Sequence, residues 1–199
     1  MAILQRRPES TTLRLRLPRA AAAGLFLLAS LVATARAGDP VPFAARAGLD
    51  VARNAAGAWS PEAVLVYVEN DDALDGSGAA VRWGYLFYSP SLDKSRVYSI
   101  RAGRIVVAEY LDMKFEAPPL ATDWIDSGAA LEAAERDVGR EFRQKSGGRL
   151  STMLLMRGAF QDKNPDQTTW TLVYTAPNIP SLFVVVDASE GKVRRTWRG

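Results

Sequence analysis

The stretch VRWGYLFYSP at residues 81–90 decides the fold, because its pattern returns as TTWTLVYTAP at residues 168–177. The tryptophan and the proline of the first stretch each recur 87 positions later, as Trp170 and Pro177. In both stretches bulky side chains alternate with small or polar ones, and this period of two predicts a strand with one buried face. The side chains predicted to face a helix-covered core are Trp83, Tyr85, Phe87, Trp170, Leu172 and Tyr174.

Other residues repeat at the same spacing on both sides of these strands. The segment DVAR at residues 50–53 returns as DVGR at residues 137–140, and the acidic loop residue Asp75 returns as Asp162. A constant offset over helix, loop and strand residues indicates two copies of one unit. The sequence therefore predicts an α+β fold of two tandem α-β-β-β-β units, each with a helix packed on an antiparallel sheet.

Local patterns predict the bounds of these elements. In the first unit, a helix is expected over residues 42–58 and strands at 63–69, 81–88, 96–100 and 105–110. In the second unit, a helix over residues 128–145, capped by Asp126 or Ser127 and ended by Gly147-Gly148, precedes strands at 150–156, 169–175, 182–187 and 192–196. The predicted domains are residues 38–111 and 127–199, joined by a linker at residues 112–126 that contains Pro118-Pro119.

The first 37 residues have the three parts of a secretory signal peptide. Arginines form a basic start, residues 20–35 form an apolar segment, and Ala35-Arg36-Ala37 is a small-x-small cleavage site. An apolar segment of about 16 residues falls short of the roughly 20 that a membrane-spanning helix needs. We therefore expect cleavage after Ala37, a periplasmic or secreted protein, and no stable membrane span. The alternative is an uncleaved N-terminal anchor.

Removal of the signal peptide changes the charge of the chain. The full sequence has 25 Lys+Arg and 22 Asp+Glu, and residues 1–37 hold six of the basic residues and one of the acidic ones. The remaining chain has a net charge of −2, which removes the usual inference from a basic protein to nucleic-acid binding. Because the sequence has no cysteine, an exported form must be held together by its core rather than by disulfides.

The composition also excludes several kinds of catalytic site. Without histidine or cysteine, the chain cannot form Ser-His-Asp or Cys-His nucleophilic sites, histidine zinc sites or thiolate sites. Ser91 and Lys94 have the Ser-x-x-Lys spacing, but they lie in a predicted turn between strands rather than at the start of a helix. We predict that the protein is not an enzyme and has no cofactor. Carboxylate-only catalysis is the formal alternative.

The acidic loop DDALDG at residues 71–76 raises the question of calcium, because it offers oxygen ligands and a glycine turn. The EF-hand pattern would also need Asp or Asn at position 73 and Glu at position 82, where the chain has Ala73 and Arg82. The matching loop of the second unit is acidic too, which favours an ordinary polar hairpin loop. Whether the loop from Asp71 to Asp75 binds an ion stays open at this point.

The sheet face away from the helices is the candidate binding surface. Its residues alternate with the core set and mix polar with apolar side chains, as in antiparallel sheets that have one side in water. The candidate partner-contacting residues are Arg82, Leu86, Tyr88, Thr171 and Val173.

The closing segment FVVVDASEGKV at residues 183–193 adds a family resemblance. Together with the preceding helix, the tryptophan strand and the proline turn, it resembles the PepSY domain. The first unit keeps only RAGRI at residues 101–105 and lacks the aspartate. The resemblance implies an exported, non-catalytic domain, of a family proposed to bind or inhibit proteases. The tandem units are also similar in architecture to the β-lactamase inhibitor protein.

These observations predict an exported binding or inhibitory module that docks a protein partner in the cell envelope. A protease or a transporter component is the expected kind of partner, and nucleic acid is not. The alternative function is a small-ligand carrier, for a lipid or a metabolite, with a pocket between the two units or under the helices.

Overall fold

The computed structural model of the protein describes residues 40–111, 117–158 and 166–199. The predicted signal peptide, residues 112–116 of the predicted linker and the loop residue Asp162 lie outside the described residues. In the part of the chain that is described, no helix is both long enough and apolar enough to cross a membrane.

Each half of the described chain starts with a helix and continues with four strands, in the predicted order. The first half has a 3₁₀ turn at Ala45–Gly48, then α1 (Leu49–Trp59), β1 (Val64–Asn70), β2 (Arg82–Ser89), β3 (Lys94–Arg101) and β4 (Arg104–Tyr110). The second half has α2 (Ser127–Ala134), a π-helical turn at Glu135–Gly139, α3 (Arg140–Ser146), β5 (Arg149–Arg157), β6 (Thr168–Ala176), β7 (Ile179–Asp187) and β8 (Val193–Arg198). Because α2, the π turn and α3 follow one another without a break, we call them together the second helix. The predicted α+β class is confirmed.

The eight strands form a single antiparallel sheet in the order β4-β3-β2-β1-β5-β6-β7-β8. The first strand of each half lies at the centre, where Tyr67 pairs with Met156 and Glu69 pairs with Leu154. The sequence predicted a sheet for each unit, whereas the described strands join into one. Pairing of β1 with β5 satisfies backbone N–H and C=O groups that two separate four-stranded sheets would leave on exposed edges.

The core lies between the helices and one face of this sheet. All six side chains that the sequence assigned to the core are buried there: Trp83, Tyr85, Phe87, Trp170, Leu172 and Tyr174. Trp83 and Trp170 meet edge to face with ring centroids 6.2 Å apart, and Trp124 meets Trp170 in the same way at 5.8 Å. A buried tryptophan removes roughly 200 Å² from water, an upper contribution of about 5 kcal/mol. These rings join the two halves into one core.

A tyrosine from the sheet reaches the backbone of each helix at a glycine. Tyr85 donates its hydroxyl to the Ala45 carbonyl at 2.6 Å, and a Cβ on Gly48 would lie 2.5 Å from that hydroxyl oxygen. In the second helix, a Cβ on Gly139 would lie 2.5 Å from the Tyr174 hydroxyl. Both glycines lie in irregular turns, 3₁₀ in the first half and π in the second. The close approach of a side chain to the helix backbone explains why each position has no Cβ.

The described end of the predicted linker is packed into the core and does not act as a spacer. Leu120 and Trp124 are buried. The Leu120 N–H donates to the Leu65 carbonyl at 2.9 Å, and the Ile125 carbonyl accepts the Trp170 indole N–H at 2.8 Å. This segment therefore fixes the second helix against both β1 and β6.

The ends of the second helix match the sequence prediction. The Asp126 carboxylate accepts the Ser127 N–H at 2.8 Å and also the Arg46 N–H at 3.0 Å. One carboxylate thus caps the second helix and holds the start of the first half against it. Gly147 follows the last helical residue with φ 61°, the left-handed conformation that glycine adopts without strain.

Candidate functional site

The sheet surface opposite the helices, which we call the β-face, contains all five predicted contact residues. In β2, Arg82, Leu86 and Tyr88 alternate with the buried core residues and pair with β3. In β6, Thr171 and Val173 likewise alternate with core residues and pair with β5 and β7. Because paired residues share a face, the register alone puts these five side chains on the β-face.

Accessibility on the β-face differs from the sequence expectation at two positions. Leu86 is only 6% exposed and Thr171 only 1%, so the expectation that both are solvent-facing is wrong. Each lies on an inner strand and is covered by side chains from both neighbouring strands: Tyr67 and Val97 flank Leu86, and Leu154 and Val185 flank Thr171. The other three, Arg82, Tyr88 and Val173, are partly exposed.

Residues of the acidic loop fold back onto the β-face beside Arg82. The Arg82 Nε lies 3.7 Å from a carboxylate oxygen of Asp71 and 3.7 Å from one of Asp72. The Asp71 carboxylate also accepts the Ser99 hydroxyl of β3. A Cβ on Gly84 would lie 2.8 Å from Asp71 Oδ1, so glycine at this strand position makes room for the carboxylate. The loop carboxylates therefore neutralise the one cationic candidate on β2.

Asp75 serves the turn of the same loop. One of its carboxylate oxygens accepts the Ser77 N–H at 2.8 Å, the Ser77 hydroxyl at 2.7 Å and the Ala79 N–H at 3.0 Å. Partial burial raises the pKa of Asp75, but these hydrogen bonds outweigh it and hold the pKa below its usual value. Among the described residues, no three acidic side chains converge as ligands for a metal ion. The hairpin-loop interpretation accounts for the contacts of this carboxylate.

An aromatic stack lies at the opposite end of the β-face, on β7 and β8. Phe183 and Trp197 stack with centroids 4.8 Å apart and an interplanar angle of 7°, and the Arg195 guanidinium lies 5.1 Å from the Trp197 ring centroid. The sequence prediction missed this group, because it ended the last strand at residue 196. The alternation of Arg195 and Trp197 along the strand was the available signal.

Asp187 organises the β7–β8 turn that the sequence singled out. Its buried carboxylate accepts the Ser189 N–H at 2.9 Å and the Glu190 N–H at 3.1 Å, pairs with the Arg194 Nη2 at 2.6 Å, and accepts the Gln167 side-chain amide. Burial raises the pKa of this carboxyl, but Arg194 and the N–H donors outweigh it and lower the pKa to about 2. The carboxylate is a structural centre of the hairpin.

Ser91 binds a carboxylate at the turn between β2 and β3. The Ser60, Ser89 and Ser91 hydroxyls all donate to one oxygen of Glu62, and these bonds, that from Ser91 first, lower the Glu62 pKa to about 2. Lys94 instead lies over the Tyr110 ring, 5.3 Å from its centroid. The prediction of a turn is confirmed for Ser91, which lies between the end of β2 at Ser89 and the start of β3, whereas Lys94 is the first residue of β3.

A cavity of about 540 Å³ lies between the loop at residues 76–77 and the second helix, and we call it the loop–helix cavity. Its lining residues are Gly76, Ser77, Gly128, Leu131, Glu132, Glu135, Arg136, Arg140 and Arg143. A smaller cavity of about 200 Å³ shares four of these residues and extends towards Arg149. The lining combines residues from the first predicted unit with residues from the second.

Comparison with known proteins gives a fold relationship. No protein-family model matches the chain, and no curated protein matches it. One similar crystal structure is that of a "putative lipoprotein" from Clostridium difficile 630, with a TM-score of 0.51, 16% sequence identity, and coverage of 76% of this chain and 92% of that one. At this identity the likeness concerns the fold alone. The PepSY resemblance is not confirmed by these comparisons and stays a prediction.

Proposed function

We propose that the protein is an exported, non-catalytic module that docks a protein partner in the cell envelope through its β-face. The distribution of aromatic and arginine side chains over that face carries the proposal. Tyr88 lies on β2 at one side, and the stack of Phe183, Trp197 and Arg195 lies on β7 and β8 at the other. Tyrosine, tryptophan and arginine are the residues that most often dominate the energy of protein interfaces.

The separation of these groups supports a macromolecular partner. Five strand spacings separate β2 from β8 in the sheet order, which is about 24 Å at about 4.8 Å per spacing. A small molecule would contact only part of such a width, whereas a standard protein interface covers roughly 800 Å² on each partner. Between the two ends, Leu154, Met156 and Val173 are partly exposed and apolar. A surface with an apolar centre is easily freed of water on binding.

Export and duplication belong to the same proposal. The basic, apolar and small-x-small segments of residues 1–37 support secretion to the periplasm or beyond, and the name of the structurally similar protein supports an envelope location.

We also propose that the chain arose from two PepSY-like α-β-β-β-β copies. Trp83 donates its indole N–H to the Phe43 carbonyl at 2.8 Å, and Trp170 donates to the Ile125 carbonyl at 2.8 Å. Both acceptors lie just before a helix.

Site-specific photocrosslinking in the native cells tests the docking proposal. A crosslinking residue at Tyr88, Val173 or Arg195 should give the same protein adduct, while one at the exposed helix residue Arg53 should not. Trp197→Ala should weaken the adduct formed at position 173, because it removes the stacked anchor. Adducts of equal yield from Arg53 and the β-face, or adducts with unrelated proteins at each β-face position, would refute the proposal.

The second candidate function is a small-ligand carrier, and the loop–helix cavity is the observation that favours it. Its volume of about 540 Å³ lies within the range of roughly 300–1,000 Å³ that is usual for ligand sites. Native mass spectrometry of protein purified without denaturation tests this function. A stoichiometric small molecule that is lost on unfolding supports it, and a mass that always equals the bare chain contradicts it.

A further inference from the structure

We infer that the loop–helix cavity binds a small phosphate-bearing anion. The inference rests on the ligand-carrier candidate and is independent of docking at the β-face. It concerns the chemistry of the lining, in which three arginines from the second helix face one space.

The three arginines follow the period of the helix. Arg136, Arg140 and Arg143 are spaced by four and three residues, so they form one stripe along the second helix, and all three line the cavity. The π-helical turn at Glu135–Gly139 lies within this stripe. Such turns occur often at functional sites, because they alter the direction in which side chains leave the helix.

The charges of the stripe are only partly balanced. Arg143 pairs with Glu135, with its Nε at 3.0 Å and its Nη2 at 2.5 Å from the carboxylate oxygens. For Arg136 and Arg140, the described residues provide no carboxylate within ion-pair distance. Like charges one turn apart destabilise a helix, and a bound anion would remove that repulsion. The lining contains three arginines and two glutamates, Glu132 and Glu135, so it has an excess of one positive charge.

The geometry of these groups suits phosphate. A guanidinium presents its N–H donors in a planar fork that matches two oxygens of a phosphate group. Arg143 is held in place by Glu135, and its Nη1 has no acceptor among the described residues, so this group remains available to a ligand. Gly128 lies in the first turn of α2, where the backbone carries partial positive charge.

The lining also argues against a lipid chain. Leu131 is its one large apolar residue, and the rest is glycine, serine or charged. A Cβ added to Gly76 would meet no atom within 4 Å, so the loop leaves open space at this wall. The cavity therefore fits a polar ligand with a compact anionic group rather than an acyl chain.

Isothermal titration calorimetry with inorganic phosphate, glycerol 3-phosphate, citrate and glycerol tests the inference. Glycerol 3-phosphate should bind and glycerol should not. The double variant Arg136→Gln, Arg140→Gln should weaken binding by roughly tenfold or more. The control Arg53→Gln, Arg104→Gln removes the same charge elsewhere and should change affinity by less than about twofold. Gly76→Val should also weaken binding, because the valine side chain fills the open space. Thermal unfolding checks that this variant is folded.

Several outcomes would overturn the inference. These are no phosphate binding at about 10 mM, equal weakening in both double variants, or tighter binding of citrate than of either phosphate. Phosphatidylglycerol vesicles distinguish a lipid headgroup from a free metabolite, since both carry phosphate. A small molecule without phosphate retained in native mass spectrometry would refute this ligand class and leave the carrier function standing. Photocrosslinking at Val173 in the Arg136→Gln, Arg140→Gln variant reports separately on docking.

Discussion

At the scale of single residues, one aspartate in each of two hairpin loops binds the backbone of its own turn. Asp75 accepts the N–H groups of Ser77 and Ala79, and Asp187 accepts those of Ser189 and Glu190. A carboxylate in such a turn satisfies donors that no strand partner can reach. These two aspartates therefore stabilise turns. Sequence spacing alone does not distinguish that role from metal binding.

Asp187→Asn should lower the free energy of unfolding by about 2 kcal/mol at neutral pH, because the folded protein holds this pKa near 2 against an ordinary value of 3.8. A lowered folded-state pKa stabilises the protein above the unfolded-state pKa. The contribution is therefore lost as pH falls from about 4 towards 2. Urea denaturation of both proteins across this pH range measures the difference, which should shrink towards zero at the acid end.

The control for that measurement is Glu141→Gln, which removes an exposed ion pair with Lys145. It should leave the melting temperature nearly unchanged, because exposed pairs contribute little. A constant difference between wild type and Asp187→Asn from neutral pH down to pH 2 would contradict the assigned linkage.

At the scale of elements, the two closing hairpins turn by different means. The β3–β4 turn places Ala102 at φ 48° and Gly103 at φ 69°, two successive left-handed residues, as in a type I′ turn. The β7–β8 turn is instead held by the Asp187 carboxylate. The two closing hairpins therefore differ in what fixes their turns, which is left-handed backbone in the first half and a carboxylate in the second.

The glycines of α1 and its preceding turn should respond oppositely to alanine. Gly48→Ala should destabilise the protein by about 1–3 kcal/mol, because its Cβ would lie 2.5 Å from the Tyr85 hydroxyl oxygen. Gly57→Ala should stabilise it by about 0.5–1 kcal/mol, because its Cβ meets nothing within 4 Å and alanine favours helix. Thermal and urea unfolding of the two variants provide the comparison.

Tyr85→Phe in the Gly48→Ala background identifies the cause. Removing the hydroxyl relieves the overlap, so the double variant should lose less stability than the sum of the two single variants. Additive losses would show that Gly48 is required for a reason other than this contact.

At the scale of the whole molecule, the two halves share one sheet and one core. The central β1–β5 pairing and the contact between Trp83 and Trp170 both connect residues that are far apart in sequence. Neither half can lose its structure without exposing the aromatic core of the other. We therefore expect the described region to unfold as one unit.

Trp170→Ala should lower the free energy of unfolding by about 3–5 kcal/mol and destabilise both halves equally. Hydrogen exchange followed by mass spectrometry should show peptides of β2 and β6 losing protection together. Val41→Ala, at a residue that is 79% exposed, is the matched control and should leave the free energy of unfolding and the exchange protection unchanged. Loss of protection confined to β5–β8 would show instead that the halves unfold independently.

Much of the fold could be predicted from sequence because burial leaves local patterns. Alternation of Trp83, Tyr85 and Phe87 predicted a strand with one buried face, and all three are buried. The cap at Asp126 and the stop at Gly147 were also predicted, since each acts on its own helix end. These features depend on residues within a few positions of one another.

The sequence by itself determined the α+β class, the order of elements and the core face of β2 and β6, because side-chain period and turn chemistry are local. Only the tertiary structure decided that β1 pairs with β5, that Leu86 and Thr171 are buried on the β-face, and that Trp197 stacks on Phe183. It also brought the loop at residues 76–77 against the second helix to form the loop–helix cavity. The physical reason is that each of these features depends on which distant strands and loops become neighbours, and period and spacing do not encode that choice.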